Sequence, residues 1–182
     1  SYPLSSGTLI GDLAVIFGQK STGTYRTLSH IETLKIPAIL FNEFVNRNHL
    51  LEQLQKIQET IEFLQQTWLF GESISSPIQS QIAQSISLTK YKKGEKIVCD
   101  GLMLVKKGKV ELISRGTNKK ESQHVVEKGD FWGGEKMISS NSKSSDAKAI
   151  TQAHIYSLTD VEILQNIPII RWKMLEQNER RE

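Results

Sequence analysis

Gly11-Asp12-Leu13-Ala14-Val15-Ile16-Phe17-Gly18 is an apolar run carrying one acid and bracketed by two glycines. It lies within residues 4–36, where short apolar and alternating segments predict strands. Tyr25 to Ile36 continues as broken alternation and stops at Pro37, which suits the first turn of a helix because its missing N–H costs nothing there. Beyond Pro37 the period changes. Leu50, Leu54, Ile57, Ile61, Leu64 and Trp68 step by 4, 3, 4, 3 and 4, a heptad seam. Glu52, Gln53, Gln55, Lys56, Gln58 and Glu59 fill the other faces. The pattern predicts one helix of about 25 residues, roughly 38 Å long. Its narrow stripe has two readings: a homodimeric coiled coil through residues 43–68, or packing along β-structure on either side.

A second unit starts near Ser76, which can cap a helix with Pro77 at its first position and Ile78, Ile82 and Ile86 on one face. Glycine-punctuated strands follow: Tyr91 to Val98, Leu102 to Val105, Val110 to Ser114 and His124 to Val126. Lys107-Gly108-Lys109 reads as a hairpin turn between two of them. A polar loop occupies residues 139–146, and Ala147 to Ser157 reads as another strand pair. Thr159-x-x-Glu162 is a capping box for a short helix through Leu164. Pro168 opens a last amphipathic helix with Ile169, Ile170, Trp172, Met174 and Leu175. The chain is therefore expected to be mainly β with helices. Both β-parts run strand, glycine-rich turn, small-residue loop and further strands, closing at Leu34-Lys35-Ile36-Pro37 and at Ile155-Tyr156-Ser157-Leu158-Thr159. Such an echo is what a tandem arrangement would leave.

Composition limits the function. With 38% hydrophobic and 24% charged residues among 182, the chain is globular in character. No apolar run approaches the roughly 20 residues that span a bilayer, so no membrane contact is expected within this segment. Ser1-Tyr2-Pro3-Leu4 has neither the basic start nor the apolar stretch of a signal peptide. One cysteine, Cys99, excludes an intrachain disulfide and fits a reducing, cytoplasmic setting. Residues 90–120 carry ten Lys/Arg against three acids. With Tyr91 the single aromatic residue among them, these lysines read as solvated strand edges rather than a nucleic-acid surface.

The run Gly11 to Gly18 resembles the phosphate-binding cassette of cyclic-nucleotide-binding domains, found in catabolite-activator-type regulators, protein kinase regulatory subunits and gated channels. That family's pattern is Gly-Glu-Leu-Ala-Leu, a short loop, an arginine, then a small-residue strand. A second copy is similar over Lys128-Gly129-Asp130-Phe131-Trp132-Gly133-Gly134-Glu135-Lys136-Met137-Ile138. Upstream, Tyr91-x-x-Gly94-Glu95-Lys96-Ile97-Val98 and residues 104–112 look like the family's early strands. The resemblance implies a double-stranded β-helix, or jelly-roll, in cyclic-nucleotide-binding-like domains joined by a long α-helix. Residues 1–40 would be the C-terminal half of a first roll, 41–70 a linker helix, 71–166 a second domain, and 167–182 a helix leading to an effector. Residues 167–176 are similar to the link after such a domain in some bacterial peptide-exporting ABC transporters that carry a cysteine-peptidase domain.

In such a cassette, glycine lets the backbone approach a phosphate, backbone N–H groups meet its oxygens, and arginine pairs with it through a planar fork. An acid accepts from the ribose hydroxyl. Gly11 and Asp12, followed by Leu13 and Ala14, match in the first copy, but the arginine position falls at Ser21 or Thr22. Gly134 and Glu135 match in the second, but Lys136 replaces an apolar residue and the arginine position falls at Lys143 or Ser144. Lysine supplies charge without the bidentate fork. Both cassettes thus read as impaired. The early strands of a first roll are not in the sequence, so a longer polypeptide is expected. Asp100-Gly101 also meets Leu102 several residues sooner than the family does.

No catalytic constellation is present. His30, His49, His124 and His154 form no close pair, Cys99 lacks a metal-type neighbour, and no Gly-Lys-Ser/Thr follows Gly129-x-x-x-Gly133-Gly134. No metal or cofactor is expected, with cyclic AMP or cyclic GMP as the alternative ligand. The expectation is a non-enzymatic regulatory module, binding cyclic nucleotide weakly or not at all, that transmits state to a fused effector or assembles it. The alternatives are a working receptor in which Lys143 stands in for arginine, and a dimerisation element.

Overall fold

The computed structural model describes residues 4, 6–20, 24–71, 74–115, 121–134, 146–160, 164 and 167–181. Among them are five helices: α1 (Asp12–Phe17), α2 (Ala38–Arg47), α3 (Leu51–Gln65), α4 (Ser76–Ser85) and α5 (Pro168–Arg181). Eight strands lie between α4 and α5: β1 (Ser87–Tyr91), β2 (Lys96–Ile97), β3 (Leu102–Lys107), β4 (Val110–Arg115), β5 (Glu121–Val126), β6 (Phe131–Trp132), β7 (Asp146–Ala149) and β8 (Ala153–Leu158).

The strands form two four-stranded antiparallel sheets, ordered β1-β8-β3-β6 and β2-β7-β4-β5. Non-consecutive neighbours in both sheets are the mark of a rolled double sheet. This corrects two expectations. Lys107-Gly108-Lys109 does not close a hairpin: β3 and β4 belong to opposite sheets, and the turn carries the chain between them. Residues 150–152 likewise pass from β7 in one sheet to β8 in the other. The two crossings are stitched together. Ile150 N–H donates to the Lys109 carbonyl at 3.0 Å, and Lys109 N–H donates to Thr151 Oγ1 at 2.9 Å. Gly108 makes this possible, since it sits at φ 92° and a Cβ there would collide with the Gln152 carbonyl and the Ala153 Cα.

Alternation along each strand divides the core in two. Met103, Val105, Ala153 and Ile155 face between the sheets and meet Leu112, Val126, Ala147 and Trp132. Leu102, Leu104, Tyr156 and Leu158 face the other way, against Ile61, Leu64, Phe70, Ile82 and Ile170 of the helical layer. Each fully buried Leu or Ile contributes about 1.5–3 kcal/mol, so the helices are integral to the second unit.

The strands expected between residues 4 and 36 are not seen among the described residues. The glycine-bracketed run is instead helix α1, entered at Gly11 (φ 84°) and ended at Gly18 (φ 62°), whose N–H donates to the Ala14 carbonyl. Residues 24–36 find no neighbouring strand, so their alternation has no ladder to join, and Leu28 (81%) and Leu34 (97%) remain exposed. The single long helix is also corrected. It breaks between α2 and α3 at Asn48–Leu50, where His49 adopts φ 55°. The distal seam, Ile57, Ile61 and Leu64, is spent on the helical-layer core of its own chain. The α4 cap is Ser75 rather than Ser76. Tyr91 to Val98 splits into β1 and β2 around Gly94, φ 87°. Glu162 of the capping box and residues 139–145 of the polar loop lie outside the described residues.

Candidate functional site

The second cassette is built on β6. Gly129 (φ 92°) and Gly133 (φ 87°) turn the chain in and out of this two-residue strand. Trp132 is 1% exposed between the sheets, and its indole N–H has no hydrogen-bond partner among the described residues. Gly133 runs so close to the 99–101 loop that a Cβ would strike Cys99 Sγ and the Gly101 carbonyl. Cys99 is a partly buried thiol that donates weakly to the Gly101 carbonyl at 3.5 Å. Beside this loop the Tyr91 hydroxyl is held above its ordinary pKa, first by burial and then by the Asp100 and Glu95 carboxylates.

Gly134 is buried, and a Cβ there would lie 3.3 Å from Leu102 Cδ1 and collide with Met174 Cε. The end of the cassette strand is therefore pressed against α5. A parallel link joins the same elements. Phe131 stacks on Trp68 (centroids 6.3 Å apart, planes 9° apart), and the Lys173 ammonium lies 5.3 Å from the Trp68 ring centroid. Lys173 Nζ also donates to the Trp68 carbonyl at 2.5 Å. Cassette strand, α3–α4 connection and α5 thus meet at one point.

Of the sequence-predicted residues, Gly134 is placed in this cluster. Glu135, Lys136, Lys143 and Ser144 lie outside the described residues, as do Ser21 and Thr22. Gly11, Asp12, Leu13 and Ala14 of the first cassette are described, and they converge on one cavity of about 560 Å³. Its far walls are α3, through Gln58 and Glu62, and α4, through Ser80 and Gln81. Leu13 also packs against the helical-layer core. Sequence reasoning did not foresee the Trp68–Phe131–Lys173 cluster. The signal was the seam residue Trp68, whose partners Phe131 and Lys173 come from distant parts of the chain.

The basic region divides. Lys96 pairs with Asp146 at 3.1 Å and Lys109 with Glu127 at 2.6 Å. Lys90 and Lys107 flank His154 across β1, β8 and β3, and Lys106 lies over the Tyr156 ring at 5.1 Å. His154 is held below its ordinary pKa, by burial first and then by Lys90, Lys107 and Lys106. No group of three or more His, Cys, Asp or Glu able to hold a metal occurs among the described residues, and no helix among them is long and apolar enough to cross a membrane.

No family model matches the chain. It is 24% identical over 137 residues to the Drosophila melanogaster cGMP-dependent protein kinase, isozyme 2 forms cD5/T2, and equally so to a second group of forms of the same isozyme. That alignment covers 71% of this chain but only 14% and 12% of the kinases. Among solved structures, the regulatory domain of Toxoplasma gondii PKA with cAMP superposes with a TM-score of 0.61 at 13% identity, over 79% of this chain and 56% of the other. The regulatory subunit of a cAMP-independent protein kinase A from Trypanosoma brucei gives 0.58 at 18%, over 70% and 48%. The sensor domain of the transcriptional regulator DNR from Pseudomonas aeruginosa gives 0.54 at 16%, over 69% and 89%. The chain has the cyclic-nucleotide-binding β-roll fold that these kinase regulatory subunits and this transcription-regulator sensor share.

Proposed function

We propose that this chain is a regulatory, non-enzymatic module of a larger protein, with weak or no cyclic-nucleotide binding, in which the β-roll passes its state to a fused effector through α5. In this reading, residues 71–166 are the sensing domain and residues 167–182 lead outward. Residues 1–40 are a remnant of a preceding cyclic-nucleotide-binding-like unit, joined through residues 41–70. The observation that carries the reading is the seat of Met174 on Gly134. A cassette that shifts by a fraction of an ångström must move this side chain, because close-packed contacts do not deform continuously. Transmission is then a population shift between a docked and an undocked α5. The missing arginine supports impaired phosphate binding, since neither Ser21, Thr22, Lys143 nor Ser144 offers a planar fork. Kinase relatives favour a kinase as the effector over an exporter.

Amide hydrogen exchange tests this coupling. Gly134→Ala should raise exchange along Trp172–Gln177 of α5, far away in sequence, while leaving β4 and β5 protected. Unchanged protection in α5 would contradict the reading.

A further inference from the structure

Strand β1 (Ser87–Tyr91) is an edge. In the sheet ordered β1-β8-β3-β6 it pairs with β8 on one side only. Ser87, Leu88, Thr89 and Lys90 are exposed, and β1 makes no further backbone–backbone hydrogen bond among the described residues. A row of basic side chains runs inward from that edge. Lys90 stands opposite His154 on β8, and Lys107 on β3 stands opposite His154 from the other side. Residues directly opposite in a sheet share a face, so two ammonium groups flank one imidazole. Lys106, at the irregularity in the β3–β8 register, adds a third ammonium over the neighbouring Tyr156 ring. Lys56, Lys96 and Lys109 have carboxylate partners, whereas Lys90, Lys106 and Lys107 form no ion pair among the described residues.

Like charges set side by side in a sheet destabilise it, and here no acid offsets them. One edge lysine is enough to deter a stray strand. Lysines on the central strand β3 add cost without protecting the edge. They gain a role when an acidic strand lies beside β1. Its backbone takes up the open edge, its carboxylates meet Lys90, and Lys106 and Lys107 extend the positive field behind. We propose that β1 is a docking edge for an extended acidic segment of a partner protein, added as a fifth strand of this sheet. None of these residues belongs to either cassette, so the docking edge is independent of what the cassettes bind.

The test uses the whole ¹⁵N-labelled chain and an acetylated peptide of about eight alternating Glu and Thr residues, whose carboxylates share one face in a strand. At low salt it should shift the Ser87–Tyr91 amides saturably. Lys90→Glu should weaken binding about tenfold and Lys107→Glu, farther from the edge, about threefold, with neither melting curve lowered. The same peptide N-methylated throughout keeps its charge but loses its backbone donors, and it should not bind. This control needs no protein variant. No saturable shift in β1 up to about 1 mM peptide overturns the proposal. So does equal binding of the N-methylated peptide or of a Lys–Thr peptide, or binding that survives Lys90→Glu. A single-stranded oligo-dT that shifts the same amides more strongly also overturns it, making the row a nucleic-acid surface.

Discussion

The Lys173 ammonium donates to the Trp68 carbonyl at 2.5 Å and lies 5.3 Å from the centroid of the same residue's indole. One buried cation is thus satisfied twice by a residue 105 positions earlier, and α5 is fastened to the α3–α4 connection at that point. Lys173→Met keeps the apolar stem but loses both interactions and strands the Trp68 carbonyl. The expected loss is about 1–3 kcal/mol in urea unfolding, with the m-value unchanged.

Gly134 and Met174 should be energetically coupled. A methyl group at position 134 meets the far end of a flexible side chain, which can move, so Gly134→Ala is expected to cost only about 1–2 kcal/mol. In the Met174→Ala background that cost should largely disappear. A double-mutant cycle checks this, and additive effects would mean that the two residues do not touch.

Two glycines with similar dihedral angles should respond differently to alanine. Gly94 (φ 87°) faces open space, so Gly94→Ala carries only the backbone penalty of about 1–2 kcal/mol. Gly108 (φ 92°) faces the backbone of the neighbouring crossing, which cannot yield as a side chain can. Gly108→Ala should cost at least about 2 kcal/mol more than Gly94→Ala, because overpacking adds to the same penalty. Thermal denaturation of the two variants measures the difference.

His154 should make the fold acid-sensitive. Burial and the cations Lys90 on β1 and Lys106 and Lys107 on β3 hold its folded pKa below the ordinary 6.5. The unfolded chain therefore takes up the proton first as pH falls, and stability present above pH 6.5 is lost progressively below it. His154→Gln should flatten this part of the stability–pH profile, and Lys90→Gln should reduce its slope.

What the sequence made legible was local. Glycine spacing and strand periodicity located β3, β4 and β8 to within a few residues, because both are carried by neighbouring residues. Sheet membership was not legible. The Lys107-Gly108-Lys109 turn looks like a hairpin in sequence, and only the partners of β3 and β4, many residues away, assign them to opposite sheets. The helix break at His49 was not legible, because the seam begins only at Leu50 and says nothing of the residues before it. In residues 24–36 alternation predicted strands, yet a strand forms only where another offers its hydrogen bonds. The glycines and acid of the first cassette were read from the motif. The cavity wall opposite them comes from two other helices and has no local signature.

The central claim, a β-roll regulator whose cassettes no longer grip a cyclic phosphate, is tested most directly by calorimetric titration of the whole chain with cyclic AMP and cyclic GMP up to millimolar concentration. Neither ligand should give saturable heat. Saturable binding of either one, lost on Lys143→Ala, would contradict it and would make the second cassette a working receptor with lysine in the arginine's place.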